Sequence, residues 1–268
     1  MSHPEANIRV NVDVTNPGQF FACCGLLELA DRLWPGAEGW FEEGMFCVAC
    51  AGTLKSLILS LVDASLQPID ADSKTSTRIL LHHPFRKLQL LWWREDLSGN
   101  RDGRELKVWA GSMESFGIAR AMQQVLRHDQ FHTSDLFNEG MVVPDPDTPG
   151  NKKEPFYFDA RRAPNAHSRD VGFSPNDLSL TTVAHPAVEL LCLIGLQRGL
   201  PAKTSQPRVY DYFTWPIPLA PELVSAAVSG QLRFPESRGY RFENWYRTGQ
   251  RKHKAFRSAV PLPQGVDQ

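Results

Sequence analysis

The chain has 268 residues, 42% of them apolar, and a formal net charge of -1. That length suits one large domain or two small ones, with apolar content sufficient for a core. Near-neutrality argues against a protein that holds nucleic acid by bulk charge alone. No run of about 18 apolar residues marks a membrane span. The opening MSHPEANIRVNVDV lacks the charged start and apolar centre of an export signal, so a cytoplasmic location is expected.

IRVNVDV (Ile8 to Val14) alternates apolar and polar residues, which predicts a strand with one buried face. A helix follows, with Asn16 as cap, Pro17 in its first turn and Gln19 placed for a capping box. Phe20, Cys23, Cys24, Leu27, Ala30 and Trp34 recur at helical spacing, and Pro35-Gly36 ends the run. Gly25 inside this helix costs about 1 kcal/mol against Ala, so close packing against it is expected. WFEEGMFCVAC (Trp40 to Cys50) reads as a hairpin or one bent strand. Thr53 caps a second helix that carries Leu54, Leu57, Ile58, Leu61 and Ser65 on one side. FRKLQLLWW (Phe85 to Trp93) predicts a strand with the Trp92 and Trp93 rings on opposite faces. The charged REDLSGNRDGR (Arg94 to Arg104) then reads as a hairpin tip, with LKVWAG (Leu106 to Gly111) as the return strand.

Ser112 to His128 is an amphipathic helix, and Val142 to Lys153 a Pro/Gly/Asp loop. HPAVELLCLIGLQRGL opens on Pro186 and is apolar nearly all round, as a buried helix is. RVYDYFTWPIPL (Arg208 to Leu219) predicts a strand, and Pro221 to Ser229 a short helix. Strands adjoin strands as well as helices, so the expected class is α+β with mixed, mainly antiparallel sheets and packed helices. The chain divides into an N-terminal α+β region, 1–150, and a C-terminal α+β region with a basic tail, 151–268, or forms one continuous domain.

The five cysteines are Cys23, Cys24, Cys47, Cys50 and Cys192. An odd number does not suggest a disulfide framework. Zinc on the Cys23-Cys24 pair and the CxxC at Cys47 and Cys50 is weighed against buried thiols on an apolar helix face, and the second reading is preferred. His128 and His132 have metal-ligand spacing only if the helix reaches both, and solvated histidines are the preferred reading. There is no phosphate-binding glycine loop, HExxH or GxSxG, and no metal or cofactor is expected.

Two segments concentrate charge. FDARRAPNAHSRDVGFSPND (Phe158 to Asp177) carries three acids, three arginines and His167. Asp159, Asp170 and His167 can act as acid and base. Three arginines nearby favour ionised carboxylates, which disfavours a general acid. The same arginines suit a phosphate. A loop of self-paired charges and an anion contact both stand, with catalysis below them. From Arg233 to Arg257 there are eight Lys/Arg against two Glu. Tyr240, Phe242, Trp245, Tyr246 and Phe256 lie among them. This pattern fits base stacking between phosphate contacts, or an edge strand with its rings turned to the core.

The stretches NPGQFFACCGLLELADRLW, LKVWAG, DVGFSP, PAVELLCLIGLQR and YFTWPIPL occur here in the order seen in one CRISPR-associated family. From Asn16 to Ala259 the chain resembles the short large-subunit-like protein of type I-G (formerly I-U) CRISPR-Cas effectors, a reduced Cas-eight-like subunit. The resemblance implies a non-catalytic member of a Cascade-type DNA-targeting ribonucleoprotein. Such a subunit helps recognise the target-adjacent motif, open the duplex into an R-loop and recruit the helicase-nuclease. Its implied partners are guide RNA, target DNA, and the backbone and guide-processing Cas subunits. Base pairing reads the target there, while protein reads a short duplex element and holds backbones. Longer members carry a C-terminal helical bundle, for which this chain has no room.

Arg161, Arg162, Asn165 and Arg169 are the expected nucleic-acid contacts, with the Asn165 amide able to read a base edge. Lys107 and Trp109 are expected to line the same groove, and Arg247, Lys252 and Lys254 to reach phosphates. Two rival readings remain: a guide-processing ribonuclease with His167 as base, and a structural adaptor in the same complex.

Overall fold

The predicted first strand and helix form as β1 (Ile8–Asn11) and α1 (Pro17–Leu33) in the computed structural model, which describes residues 3–69, 77–93, 105–109, 113–162, 183–246 and 253–263. Asn16 caps α1, its side-chain oxygen accepting the Gly18 N–H at 3.1 Å. Gln19 departs from the expected capping box. The Asn16 N–H is already donated to the Asp13 carbonyl, so Gln19 accepts the Asp13 N–H instead, at 2.8 Å.

The segment after α1 is a hairpin of β2 (Glu38–Glu42) and β3 (Met45–Ala49). Its turn residues, Glu43 and Gly44, have φ of 45° and 80°. Such a left-handed pair matches the twist of the flanking strands. β1 adds to β3, giving the antiparallel order β1-β3-β2. Thr53 and Ser56 cap α2 (Leu54–Asp63) reciprocally, and Leu54, Leu57, Ile58 and Leu61 are buried. Ser65 falls beyond α2, in β4 (Ser65–Pro68), which pairs with β5 (Ile79–His82) and through it with β6 (Leu88–Leu90).

The strand predicted over Phe85 to Trp93 shrinks to β6. Trp92 and Trp93 lie in a turn after it, so strand alternation does not separate their rings. Both are buried, with centroids 5.3 Å apart in an edge-to-face contact. The Trp92 indole N–H donates to the Leu193 carbonyl at 3.1 Å. The described part of LKVWAG, 106–109, is not a strand either. Leu106, Val108 and Trp109 are buried there, and Val108 accepts a backbone bond from Lys254 at 2.9 Å.

Helix α3 (Ser115–Val125) is the core of the predicted amphipathic span. Helix α4 (Pro186–Gly195) is buried along its whole length, as its all-round apolar sequence predicts. α1 and α4 pack backbone against backbone at Gly25 and Gly195. A Cβ on Gly25 would run into the Leu191 carbonyl, and one on Gly195 into the Phe21 carbonyl. This contact explains why a helix interior tolerates Gly25.

The C-terminal region supplies β7 (Ala202–Lys203), β8 (Val209–Phe213), α5 (Pro221–Val228), β9 (Gly239–Tyr246), β10 (Lys254–Phe256) and β11 (Val260–Pro261). The sheet order is β10-β9-β8-β7, with β11 also on β9. Every strand pairing described is antiparallel, and the fold is α+β. One contiguous core draws on both sides of residue 150: Phe20 and Phe21 of α1 meet Tyr212, Phe242 and Phe256. No helix among the described residues is long and apolar enough to cross a membrane.

Cys23, Cys24 and Cys192 are fully buried helix residues, as the apolar-thiol reading expects. Burial raises all three thiols, and pushes Cys47 up to about 11.

Candidate nucleic-acid interface

The arginine-rich stretch begins in a buried polar clasp. Asp159 is fully buried beneath the start of α1. Its carboxylate accepts the Asn16 amide at 2.9 Å, the Arg161 N–H at 3.0 Å and two guanidinium nitrogens of Arg161, the shorter at 2.6 Å. Arg161 also donates to the Phe137 carbonyl at 2.7 Å and to Asn138 at 3.3 Å. Arg162 is itself buried. It donates to the Val183 carbonyl at 2.5 Å, to Glu154 at 3.2 Å and to the Tyr157 hydroxyl at 3.3 Å. Arg162 therefore joins the two chain ends that bracket 163–182.

Glu189 of α4 completes the clasp. It accepts the N–H groups of Tyr157, Phe158 and Asp159 at 2.9, 3.1 and 3.2 Å. Burial, with the Asp159 charge beside it, pushes its carboxyl up to about 7. Burial also opposes ionisation of Asp159, but the Arg161 guanidinium holds that carboxyl below its ordinary value. Burial holds His185 below its ordinary value, against the pull of Asp159 3.3 Å away.

These directions set a pH dependence. Between about 4.5 and about 7 the folded protein holds more protons on Glu189 than the unfolded chain does. Stability is therefore expected to fall as pH rises through that window, by about 3 kcal/mol at most from this group. His185 acts in the opposite sense up to about 6.5. Comparing urea midpoints of wild type and Glu189→Gln from pH 5 to 8 isolates the carboxyl. The wild type should lose ground to the variant as pH rises.

The expected contacts are thus placed unevenly. Arg161 and Arg162 point their forks at internal partners, because Asp159, Glu154 and two backbone carbonyls lie within reach. Asn165 and Arg169, with His167 and Asp170, lie outside the described residues, as do Arg247 and Lys252. Trp109 does not line a groove: it is 2% exposed, packed against Trp93 at 5.3 Å and Phe156 at 4.9 Å. An indole with that much apolar surface enters the core once the segment is not a strand. Lys107 covers the Trp109 ring, its ammonium 5.1 Å from the centroid. The Lys254 ammonium donates to the Glu105 carbonyl at 2.8 Å.

The aromatic-basic tail is sorted by β9. Tyr240 and Phe242 alternate inward with Asn244, and Phe256 of β10 joins them in the core. The other face of β9 carries Arg241, Glu243 and Trp245. Arg241 grips Asp211 through two 2.7 Å bonds, and Glu243 takes Arg257 at 3.0 Å. Trp245 keeps 37% of its surface exposed. Arg208 and Arg257 lie 5.1 and 5.3 Å from its centroid, and Arg208 lies 4.9 Å from the Tyr246 ring.

Arg208 was missed by sequence reasoning. It makes no ion pair among the described residues, and its Nε is buried without a hydrogen-bond partner. Its φ is 63°, a left-handed conformation uncommon for a residue with a Cβ. The only sequence signal was its place at the start of a predicted strand, after Pro207. An exposed indole flanked by two guanidinium groups can stack a base and hold the phosphates beside it.

Comparison with known proteins finds no matching family model, no matching curated protein and no matching solved structure.

Proposed function

We propose that the chain is a non-catalytic, nucleic-acid-contacting subunit of a CRISPR RNA-guided Cascade-type complex, as its resemblance to the type I-G large-subunit family implies. In that role it helps recognise the target-adjacent motif, open the duplex and recruit the helicase-nuclease. The observation that supports this most is the outer face of β9, where Trp245 is exposed between Arg208 and Arg257. In sequence, Arg247, Arg251 and Lys252 follow within seven residues of Trp245. Arg208 and Arg257 set positive charge beside the indole on one local face of a nearly neutral protein. A subunit of a large assembly needs one such face, not a basic surface all round. Phosphate contacts would position it and base pairing of the guide would supply sequence specificity.

The tagged chain, purified from its own cells, should carry guide RNA and the other effector subunits. Target-duplex binding by that assembly is then measured across a salt series. The Arg208→Ala, Arg257→Ala pair should weaken binding and flatten the salt slope by about one per lost phosphate contact. Trp245→Ala should weaken it by about 1–3 kcal/mol with the slope retained, as loss of a stacked base does. Unchanged affinity and slope in both variants would rule out this face as the contact.

A further inference from the structure

The two guanidinium groups beside Trp245 are not equivalent. Arg208 makes no ion pair among the described residues, and its Nε is buried without a hydrogen-bond partner. Arg257 is already engaged, its Nη1 donating to Glu243 Oε2 at 3.0 Å. A carboxylate oxygen therefore stands on this guanidinium where a phosphate oxygen would stand. Glu243 lies two residues before Trp245 on β9, so the carboxylate and the indole share one face of the sheet.

A neighbouring pair on that face shows how a permanent pairing is built. Arg241 donates to both oxygens of Asp211, through Nε and Nη2, each at 2.7 Å. That two-bond fork is geometrically complete. Arg257 gives a single N–H to Glu243 and makes no other side-chain hydrogen bond among the described residues. Its side chain and that of Glu243 remain 45% and 41% exposed. An exposed pair joined by one bond is weak and is screened by salt. The backbone keeps it ready to re-form: the Arg257 N–H donates to the Glu243 carbonyl at 3.0 Å. The pairing is thus always at hand and easily displaced.

We infer that Glu243 is an internal competitor for phosphate on the β9 face, holding Arg257 until a strand that also offers Trp245 a base displaces it. This rests on the proposed nucleic-acid contact of that face. Arg208 is the open cation and Arg257 the guarded one. A phosphate alone would exchange one exposed bond at Arg257 for another and gain little there. A nucleotide adds stacking on the exposed indole, 5.3 Å from the Arg257 guanidinium. The face therefore favours a nucleic-acid strand over a simple anion.

The test measures binding of a duplex matching the guide by the assembled complex, across a salt series. Glu243→Gln should tighten binding about three-fold at low salt, the size an exposed ion pair allows. The salt slope should steepen by up to about one, as for one more phosphate contact. Both gains should vanish when Glu243→Gln is added to Arg257→Ala, because the two residues act as a pair. The melting temperature should stay unchanged in all three variants, which separates altered binding from altered folding. No tightening by Glu243→Gln would overturn the proposal. So would an equal tightening in the Arg257→Ala background, which would mean simple loss of repulsion. If Trp245→Ala and the Arg208→Ala, Arg257→Ala pair weaken binding while Glu243→Gln has no effect, the competitor role alone fails. If those variants leave binding unchanged, the nucleic-acid reading of the face fails and takes the competitor role with it.

Discussion

Gly195→Ala is expected to destabilise the protein by at least about 3 kcal/mol, a large part of the 5–15 kcal/mol that holds a typical domain together. The new methyl group would enter the space of the Phe21 carbonyl and the Gly25 N–H, both in the backbone of α1. Backbone in a buried helix cannot rotate aside as a side chain can. Relief therefore requires α4, buried along its length, to move away from α1. That movement would open voids along both helices, and a void forfeits the contacts on each of its walls. Gly25→Ala meets the Leu191 carbonyl and should behave the same way. Urea unfolding followed by tryptophan fluorescence measures both. A near-wild-type midpoint for either would mean that the two helices do not touch at these glycines.

The second large effect belongs to Asp159. Removing a buried carboxylate costs about 1–3 kcal/mol for each buried donor left without a partner. Asp159→Ala strands the Asn16 amide, which is 2% exposed, and removes the anion that holds Arg161. It also takes away the charge that faces His185 and Glu189. The Glu189 carboxyl should then ionise more readily, since Asp159 is one of the two causes that raise it. Part of the loss should therefore be recovered above pH 7. Asp159→Asn keeps the shape and should cost less than the alanine variant. Equal midpoints for wild type and Asp159→Ala at pH 6 would contradict the clasp.

Much of the fold was legible because it rests on local rules. Asn16 and Thr53 announce their helices through capping chemistry, and Pro186 opens α4 where its missing N–H is harmless. The all-round apolar face of α4 and the inward alternation of Tyr240 and Phe242 follow from periodicity alone. Elements set by distant partners were less legible. Trp92, Trp93 and Trp109 read as strand residues, yet they gather with Phe156 and Phe158, more than 40 residues along the chain, into one aromatic cluster. The charged site was legible in composition and not in assignment. Arg161 and Arg162 look the same in sequence whether their forks face water or Asp159 and Glu154. Of the two open readings, self-paired charges describe Asp159, which pairs with Arg161. Glu189 escaped notice because a single acid in an apolar helix gives no hint of three backbone N–H groups waiting 30 residues upstream. Trp245 was grouped with its inward neighbours. Register alone, with Asn244 turned in and Trp245 turned out, separates them.

The central claim is that the chain touches nucleic acid through the β9 face. Photo-crosslinking the assembled complex on target DNA, followed by peptide mapping, tests it most directly. The expected result is crosslinked nucleotide on the peptides that carry Arg208 and Trp245 to Arg257, lost in Trp245→Ala. Co-purification of the chain with its partners, with no crosslink to DNA or RNA anywhere on it, would contradict the claim and leave a structural adaptor.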